Sequence, residues 1–301
     1  MALPSISVVF GRNPKRAYVT CRDRRDGGGA QVCAHLSTIL YAAHHRATYA
    51  HTPFQEIAHR PSDLSPSEWV KTWEEFFSIG HGETQAEDIG DLKEVPLPKP
   101  HRKSPRKGAL NVVHHCHKVT NQLVDAWDAL RPSMRTKYFH HAKPATPLDD
   151  KSKLNLAVHV RRGDVTSSGT FSERFTEGTT IHSHVHRIVQ LLGPDHCQVH
   201  LFSQAGQNLS EFDSLEPQWH LDLDPLTTIH AMVSADVLFA AKSCFSWLAG
   251  LIGNGQVIQD DFWHPSMPDW INFSELPELP DDQLRLRLQP SLLAPTVASR
   301  S

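Results

Sequence analysis

The 301-residue chain has no apolar run of about 18 residues, so no stretch of it reads as a transmembrane helix. It also lacks an excess of either charge. With 30 Lys and Arg against 33 Asp and Glu, the formal net charge is −3, so a general electrostatic attraction to nucleic acid or acidic membrane is not implied. Any anion must therefore be bound locally. The start, MALPSISVVFGRNPKR, lacks the positive-then-apolar order of a secretory leader. The five cysteines, Cys21, Cys33, Cys116, Cys197 and Cys244, are scattered and never form C-x-x-C, which argues against a disulfide framework and a structural zinc site. A reducing compartment, the cytoplasm, is the expected location. Apolar residues reach only 39%, and 21 prolines imply punctuated loops around at least one core.

Histidine is plentiful instead, at 21 copies. The run HHCH at 114–117 suggests a metal cluster, but neighbours in an extended segment point to opposite faces and no second cluster has ligand spacing. It reads as a polar strand edge, and no metal is expected.

Near the N-terminus a short strand, RAYVTC, leads through RDRRDGGG into a helix. There Val32, Leu36, Ile39, Leu40 and Ala43 form an apolar stripe. TYAHTPF then resumes an extended run, so strand, glycine loop, helix and strand follow as in a parallel α/β sheet. The segment from about 55 to 110 is rich in Pro, Gly, charge and Trp, and reads as an insertion with a helix around Trp69–Phe77. A helix through Val119, Leu123, Trp127 and Leu130 is followed by a linker near Ala142–Lys153. Beyond it, LNLAVHV, CQVHLFSQ, WHLDLD, DVLFAA and GQVIQ read as strands alternating with helices, the pattern of a doubly wound parallel sheet. Leu209–Leu215 is one of those helices, and the polar tail after Phe273 is assigned no element. We expect two α/β domains, 1–147 and 148–301.

HVRRGD at 159–164 follows an apolar strand, where ligands gather in open α/β sheets. With a side-chain period of two, His159 and Arg161 share one face and Arg162 takes the other. Arg161 presents a planar fork suited to phosphate, Gly163 permits a sharp turn, and an Arg162–Asp164 pair is expected to hold the loop. A second anion seat is AAKSCFSWLAG, in which Ser243 caps a helix start and Ser246 lies beside its first turn. Two such seats suit a diphosphate. Asp236, opening DVLFAA, can accept two parallel hydrogen bonds from the Watson–Crick edge of guanine.

HVRRGD resembles the H-x-R-R-x-D motif of the fucosyltransferase superfamily that makes α1,2-, α1,6- and O-linked fucose. SADVLFAAKSCFSWLAG and DGGGAQVCAHLSTILYAAHHRATYAHTPF are similar to its later motif and its N-terminal glycine loop and helix. The resemblance implies a glycosyltransferase-B fold, two Rossmann-like domains facing a cleft, with GDP-fucose on the C-terminal one. It implies donor contacts from His159, Arg161, Asp236, Ser243, Phe245 and Ser246, a loop ordered by Asp164, and a cleft shaped by Gly27, Gly28 and Gly29. The implied reaction is inverting transfer of fucose to a hydroxyl of a glycan, protein or glycoside, catalysed by Arg161, Asp164 and a carboxylate base, with no metal or other cofactor. One branch carries a Glu about ten residues past the motif His. Here that position is Gly169, so Glu173 is the expected base, with Glu177 and Asp26 behind it. The insertion's tryptophans are expected to offer the acceptor an aromatic face.

Two other readings stay open. Asp222 and Asp224 fit a D-x-D pattern that bridges a metal to a sugar nucleotide. A binding protein that retains the anion seats without turnover is the other. Acceptor identity and oligomeric state are not written in the sequence.

Overall fold

The computed structural model describes residues 16–293, so most of the opening segment that was read for a leader lies outside the described residues. They divide into two compact units between Lys143 and Pro144. Each is α/β with a sheet in which every pairing is parallel. No helix among the described residues is long and apolar enough to cross a membrane.

The N-terminal unit runs β1 (Tyr18–Cys21), α1 (Gly28–His44), β2 (Thr48–His51), α2 (Pro66–Phe77), β3 (Thr84–Gln85), β4 (Lys93–Pro96), β5 (Ala109–Val113), α3 (His117–Thr120) and α4 (Val124–Tyr138). Its sheet order is β3-β2-β1-β5-β4. The segment expected to be an insertion therefore supplies both edge strands, β3 and β4. A two-residue strand and one carrying Lys93, Glu94 and Pro96 lack apolar alternation, because sheet edges are kept short, charged or proline-bearing. In α1 the expected stripe buries Val32, Leu36 and Leu40, while Ala43 turns to solvent and Ala42 packs in its place.

Helix α2 starts with a capping box: Ser65 accepts from the Glu68 amide and the Glu68 side chain accepts from the Ser65 amide. It buries Trp69 and Trp73, each 2% exposed, so these rings are core and not the acceptor platform expected of them. Trp73 explains Gly28. A Cβ there would come within 2.4 Å of the indole, so only glycine lets α1 begin against α2.

A buried polar chain ties these elements together. His35 Nδ1 lies 2.8 Å from Tyr49 Oη, which lies 3.0 Å from His51 Nδ1, and His51 Nε2 lies 3.2 Å from Glu74 Oε2. The carboxylate only accepts, so His51 donates to it through Nε2, accepts the Tyr49 hydroxyl proton at Nδ1, and leaves the phenol oxygen to accept from His35. Glu74 Oε1 also accepts from the Phe54 amide at 2.6 Å. Burial holds the His35 imidazole well below its ordinary pKa and the Tyr49 phenol well above its own, which keeps both neutral.

The C-terminal unit comprises β6 (Leu154–His159), α5 (Gly178–Leu192), β7 (Cys197–Ser203), β8 (Gln218–Leu221), α6 (Pro225–Val233), β9 (Val237–Ala240), α7 (Cys244–Ile252), β10 (Gln256–Gln259), β11 (Ile271–Asn272) and α8 (Asp281–Leu293). The order β11-β10-β9-β6-β7-β8 grows one way from β6 and, after β8, the other way from β9, so it reverses between β6 and β9. Leu156, Val158 and Val160 alternate into a core with Ile181, Val185 and Ile188 of α5. Two expectations are corrected here. Ser210–Leu215 is a 3-10 helix, and the tail forms α8, whose Leu284 and Leu288 enter that core despite its polar composition.

His200 of β7 sits between Asn155 Oδ1 and His220 Nε2, each 3.0 Å away. Because the Asn155 amide nitrogen donates to Leu148 O and Asp150 O, its oxygen accepts from His200 Nε2, and His200 Nδ1 accepts from His220. Burial, more than the neighbouring His220, pushes the His200 pKa down to about 4.

Tyr49→Phe, which keeps the ring and removes the hydroxyl, leaves His51 Nδ1 and His35 Nδ1–H unpaired. We expect a loss of about 1–3 kcal/mol of stability, read from urea unfolding; an unchanged midpoint would show that the chain contributes nothing.

Candidate active site

In an open α/β sheet the ligand crevice lies beyond the carboxyl ends of the strands where the order reverses. In the C-terminal unit that place is bounded by the end of β6, which carries His159, and the end of β9, which leads through Ala241–Lys242–Ser243 into α7. Arg161 crosses it: Nη1 donates to Ser243 Oγ at 3.1 Å, and Nη2 donates to Asp164 Oδ2 at 2.7 Å. Its Nε is buried without a hydrogen-bond partner. The turn between Arg161 and Asp164 rests on Gly163, at φ +80°, where a Cβ would also come within 1.8 Å of Gln204 Oε1.

The two adjacent arginines do different work. Arg162, on the opposite face as the period of two predicts, is buried, donates to Arg161 O and Thr176 O, and lies over the Phe175 ring at 4.4 Å. Glu211 stands 4.0 Å away. The expected Arg162–Asp164 pair is therefore corrected: Asp164 partners Arg161, because it lies on the loop side that Arg161 faces and Arg162 points away from it.

Ser243 caps α7, its Oγ accepting from the Phe245 amide as well as from Arg161. With both lone pairs engaged, what the hydroxyl has left to offer is its proton. The Phe245 ring stands 5.9 Å from that of His159. Burial, and then the Arg161 charge, push the His159 pKa down to about 3, and its Nδ1 has no hydrogen-bond partner. The site thus offers a guanidinium, a hydroxyl and a neutral imidazole at the positive end of a helix, a combination suited to a phosphate-bearing ligand. Ser243 and Ser246 are both buried, and they differ in partner: Ser246 Oγ donates to Ala241 O at 3.3 Å and so braces the loop, whereas Ser243 Oγ meets Arg161.

Asp236 is not brought to this place. It precedes β9, at the amino end of a four-residue strand that spans about 13 Å. Its Oδ2 accepts from the Asn155 amide at 2.8 Å, with Lys151 Nζ at 3.9 Å. The guanine contact expected of it is corrected on that ground, since its carboxylate closes the bottom of the sheet. Glu173, in a 3-10 turn at Ser172–Arg174, is 64% exposed and paired with Arg174 at 3.4 Å. Asp222 Oδ1 accepts from the Ala205 amide, and Asp224 caps α6 through the Thr227 amide and hydroxyl, which accounts for the D-x-D pattern as two turn carboxylates. Among the described residues no group of three or more His, Cys, Asp or Glu is arranged to hold a metal.

Gly27, Gly28 and Gly29 begin α1 in the other unit, Gly27 as its N-cap. The preceding loop is held by Arg24, which pairs with both oxygens of Asp26 and donates to His114 O. Sequence reading missed three residues beside the arginine loop: Asp260 after β10, Lys242 and Thr176. A carboxylate one residue past an apolar strand, as in VIQD, was the available signal, for it is placed as HVRRGD is.

No family model matches this chain, and no curated protein is similar to it. Among solved structures it is similar to the fucosyltransferase NodZ from Bradyrhizobium, at 16% identity over 84% of this chain and 97% of that one, with a TM-score of 0.40. It is also similar to POFUT1 in complex with GDP-fucose, at 14% identity over 85% of this chain and 98% of that one, with a TM-score of 0.44.

The depressed histidines give a pH prediction. Between the folded values, about 3 for His159 and about 4 for His200, and the ordinary value of 6.5, the unfolded chain binds protons that the folded chain refuses. Their stabilisation is therefore complete above about pH 6.5 and declines as the pH falls, toward about 4 for His200 and about 3 for His159. Urea midpoints measured across this range should depend less on pH in His200→Gln than in the wild type; parallel curves would discard the assignment.

Proposed function

We propose that this chain is a glycosyltransferase that takes a nucleoside diphosphate sugar on its C-terminal unit. GDP-fucose is the donor suggested by the resemblance of HVRRGD to the fucosyltransferase motif. The observation that carries the reading is the contact of Arg161 with the N-cap hydroxyl of α7 at the reversal of strand order, which gathers a cation, a hydroxyl and a helix start around one point.

In the proposed reaction the bond between the sugar's anomeric carbon and the β-phosphate oxygen breaks, and the acceptor oxygen bonds that carbon from the opposite face with inversion. The acceptor's proton passes to a base, and the nucleoside diphosphate leaves with the negative charge. Arg161, the Ser243 hydroxyl and the α7 start stabilise that charge as it develops. No metal is required in this scheme, because a guanidinium and a helix dipole supply the positive field. Neutral His159, beside Phe245, serves as a hydrogen-bonding group toward the nucleotide, and Asp164 keeps the Arg161 fork turned into the crevice. Glu173 is retained as the base, its exposure leaving it accessible to an acceptor. With Asp236 at the far end of the sheet, the choice of guanine rests on the motif resemblance alone.

One observation favours a second reading, a GDP- or glycan-binding protein without turnover. At Gly169, where one branch of the family carries Glu, the chain lacks that carboxylate. Transfer assays over a panel of hydroxyl acceptors separate the two, since the sensor binds GDP and transfers nothing.

Arg161→Ala should lower transfer about 10²–10³-fold with little change in melting temperature, as removal of a donor to a developing oxyanion does. Arg162→Ala should instead lower the melting temperature; the reverse pattern would exchange the two assignments. Transfer should survive EDTA, and activity abolished by chelation and restored by Mn²⁺ would return the reading to Asp222 and Asp224. Asp236→Asn should reduce stability while leaving the preference for GDP over UDP unchanged. A selective loss of GDP would reinstate its contact with the base.

A further inference from the structure

Arg161 and Ser243 are joined a second time, by a longer route. Arg162 donates through Nη1 to Arg161 O at 2.9 Å and through Nη2 to Thr176 O at 3.1 Å. The Thr176 hydroxyl donates to Asp260 Oδ2 at 2.5 Å, and the same oxygen lies 3.3 Å from Lys242 Nζ. Lys242 precedes Ser243, whose Oγ accepts from Arg161. The contacts close into a ring that runs Arg161, Ser243, Lys242, Asp260, Thr176 and Arg162. It binds both ends of the arginine loop, near Arg161 and near Thr176, to the short loop that opens α7.

We propose that Asp260 is the positioning residue of this ring, holding the arginine loop and the α7 loop in register so that the seat is formed before the diphosphate arrives. This inference rests on the reading of the seat as a nucleoside diphosphate site. Asp260 belongs to neither loop: it follows β10, and its own amide reaches Ala240 O at 3.4 Å, so it brings a fixed point from a third strand. Its side chain is 16% exposed and its acceptor oxygen meets two donors from the two loops, which makes it the junction of the ring. Without that acceptor the Thr176 end of the loop and Lys242 are each held by one contact fewer. The seat would then be ordered by the ligand, at the cost of affinity that ordering on binding entails. Asp260 acts through these neighbours, and no contact of its own with the ligand is needed.

The test is GDP affinity of the full chain by titration calorimetry, with thermal melts alongside. Asp260→Ala should weaken GDP at least tenfold. Asp260→Asn keeps an oxygen that accepts from both Thr176 and Lys242, and should restore affinity to within about threefold of the wild type. Thr176→Val should weaken GDP at least threefold alone and add nothing to Asp260→Ala, because both cut the same link. Wild-type affinity in Asp260→Ala, an Asn variant as weak as Ala, or additive losses in the double variant would each overturn the role. Should the Ala variant fail to fold, unchanged affinity in Thr176→Val overturns it. A wild-type chain that binds none of GDP, UDP, ADP and CDP defeats the donor-site reading itself, an outcome distinct from GDP binding that ignores Asp260.

Discussion

The bond from Arg161 to Ser243 depends on a topological constraint. Parallel strands need crossovers, and a sheet that grows first to one side of its starting strand and then to the other leaves two neighbouring strands whose following loops diverge. In the C-terminal unit those strands are β6 and β9. Their loops are far apart in sequence and adjacent in space, and a guanidinium on one meeting the helix cap on the other fills the gap between them.

Electrostatics then sorts the charged residues around that gap. Besides the Ser243 hydroxyl, the half-buried Arg161 has one charged partner, the exposed Asp164, a pair that orients the fork and contributes little to stability because exposed ion pairs do. Arg162 is withdrawn into the core side and satisfied by carbonyls and an aromatic face, where removal of its partners would leave a buried charge. His159 is kept neutral by burial, so it adds no second charge beside the guanidinium.

The N-terminal unit is built on a different economy of polar groups. Its core is crossed by the His35–Tyr49–His51–Glu74 chain, in which each proton has one acceptor and each acceptor a proton. The glycine that opens α1 serves packing against Trp73, so a glycine-rich turn after a first strand is explained here by helix approach.

Periodicity alone determined much of this protein. The alternation of strands and helices after residue 153, the stripe of α1, and the opposed faces of Arg161 and Arg162 all follow from side-chain periods of 3.6 and 2, which are properties of the local backbone. Elements with no apolar repeat escaped it: the short edge strands β3 and β4, and α8, whose polar faces hide the two leucines that anchor it. Tertiary structure decided which end of a strand each candidate occupied. Asp236 and Ser243 are seven positions apart in one motif, yet the strand between them carries them to its opposite ends. It also decided that Asp260, 84 residues beyond Thr176 in the sequence, stands beside the arginine loop. Sequence proximity fixes distance along a strand, whereas the lateral neighbours of a strand's tip are set by the order in which the sheet is assembled.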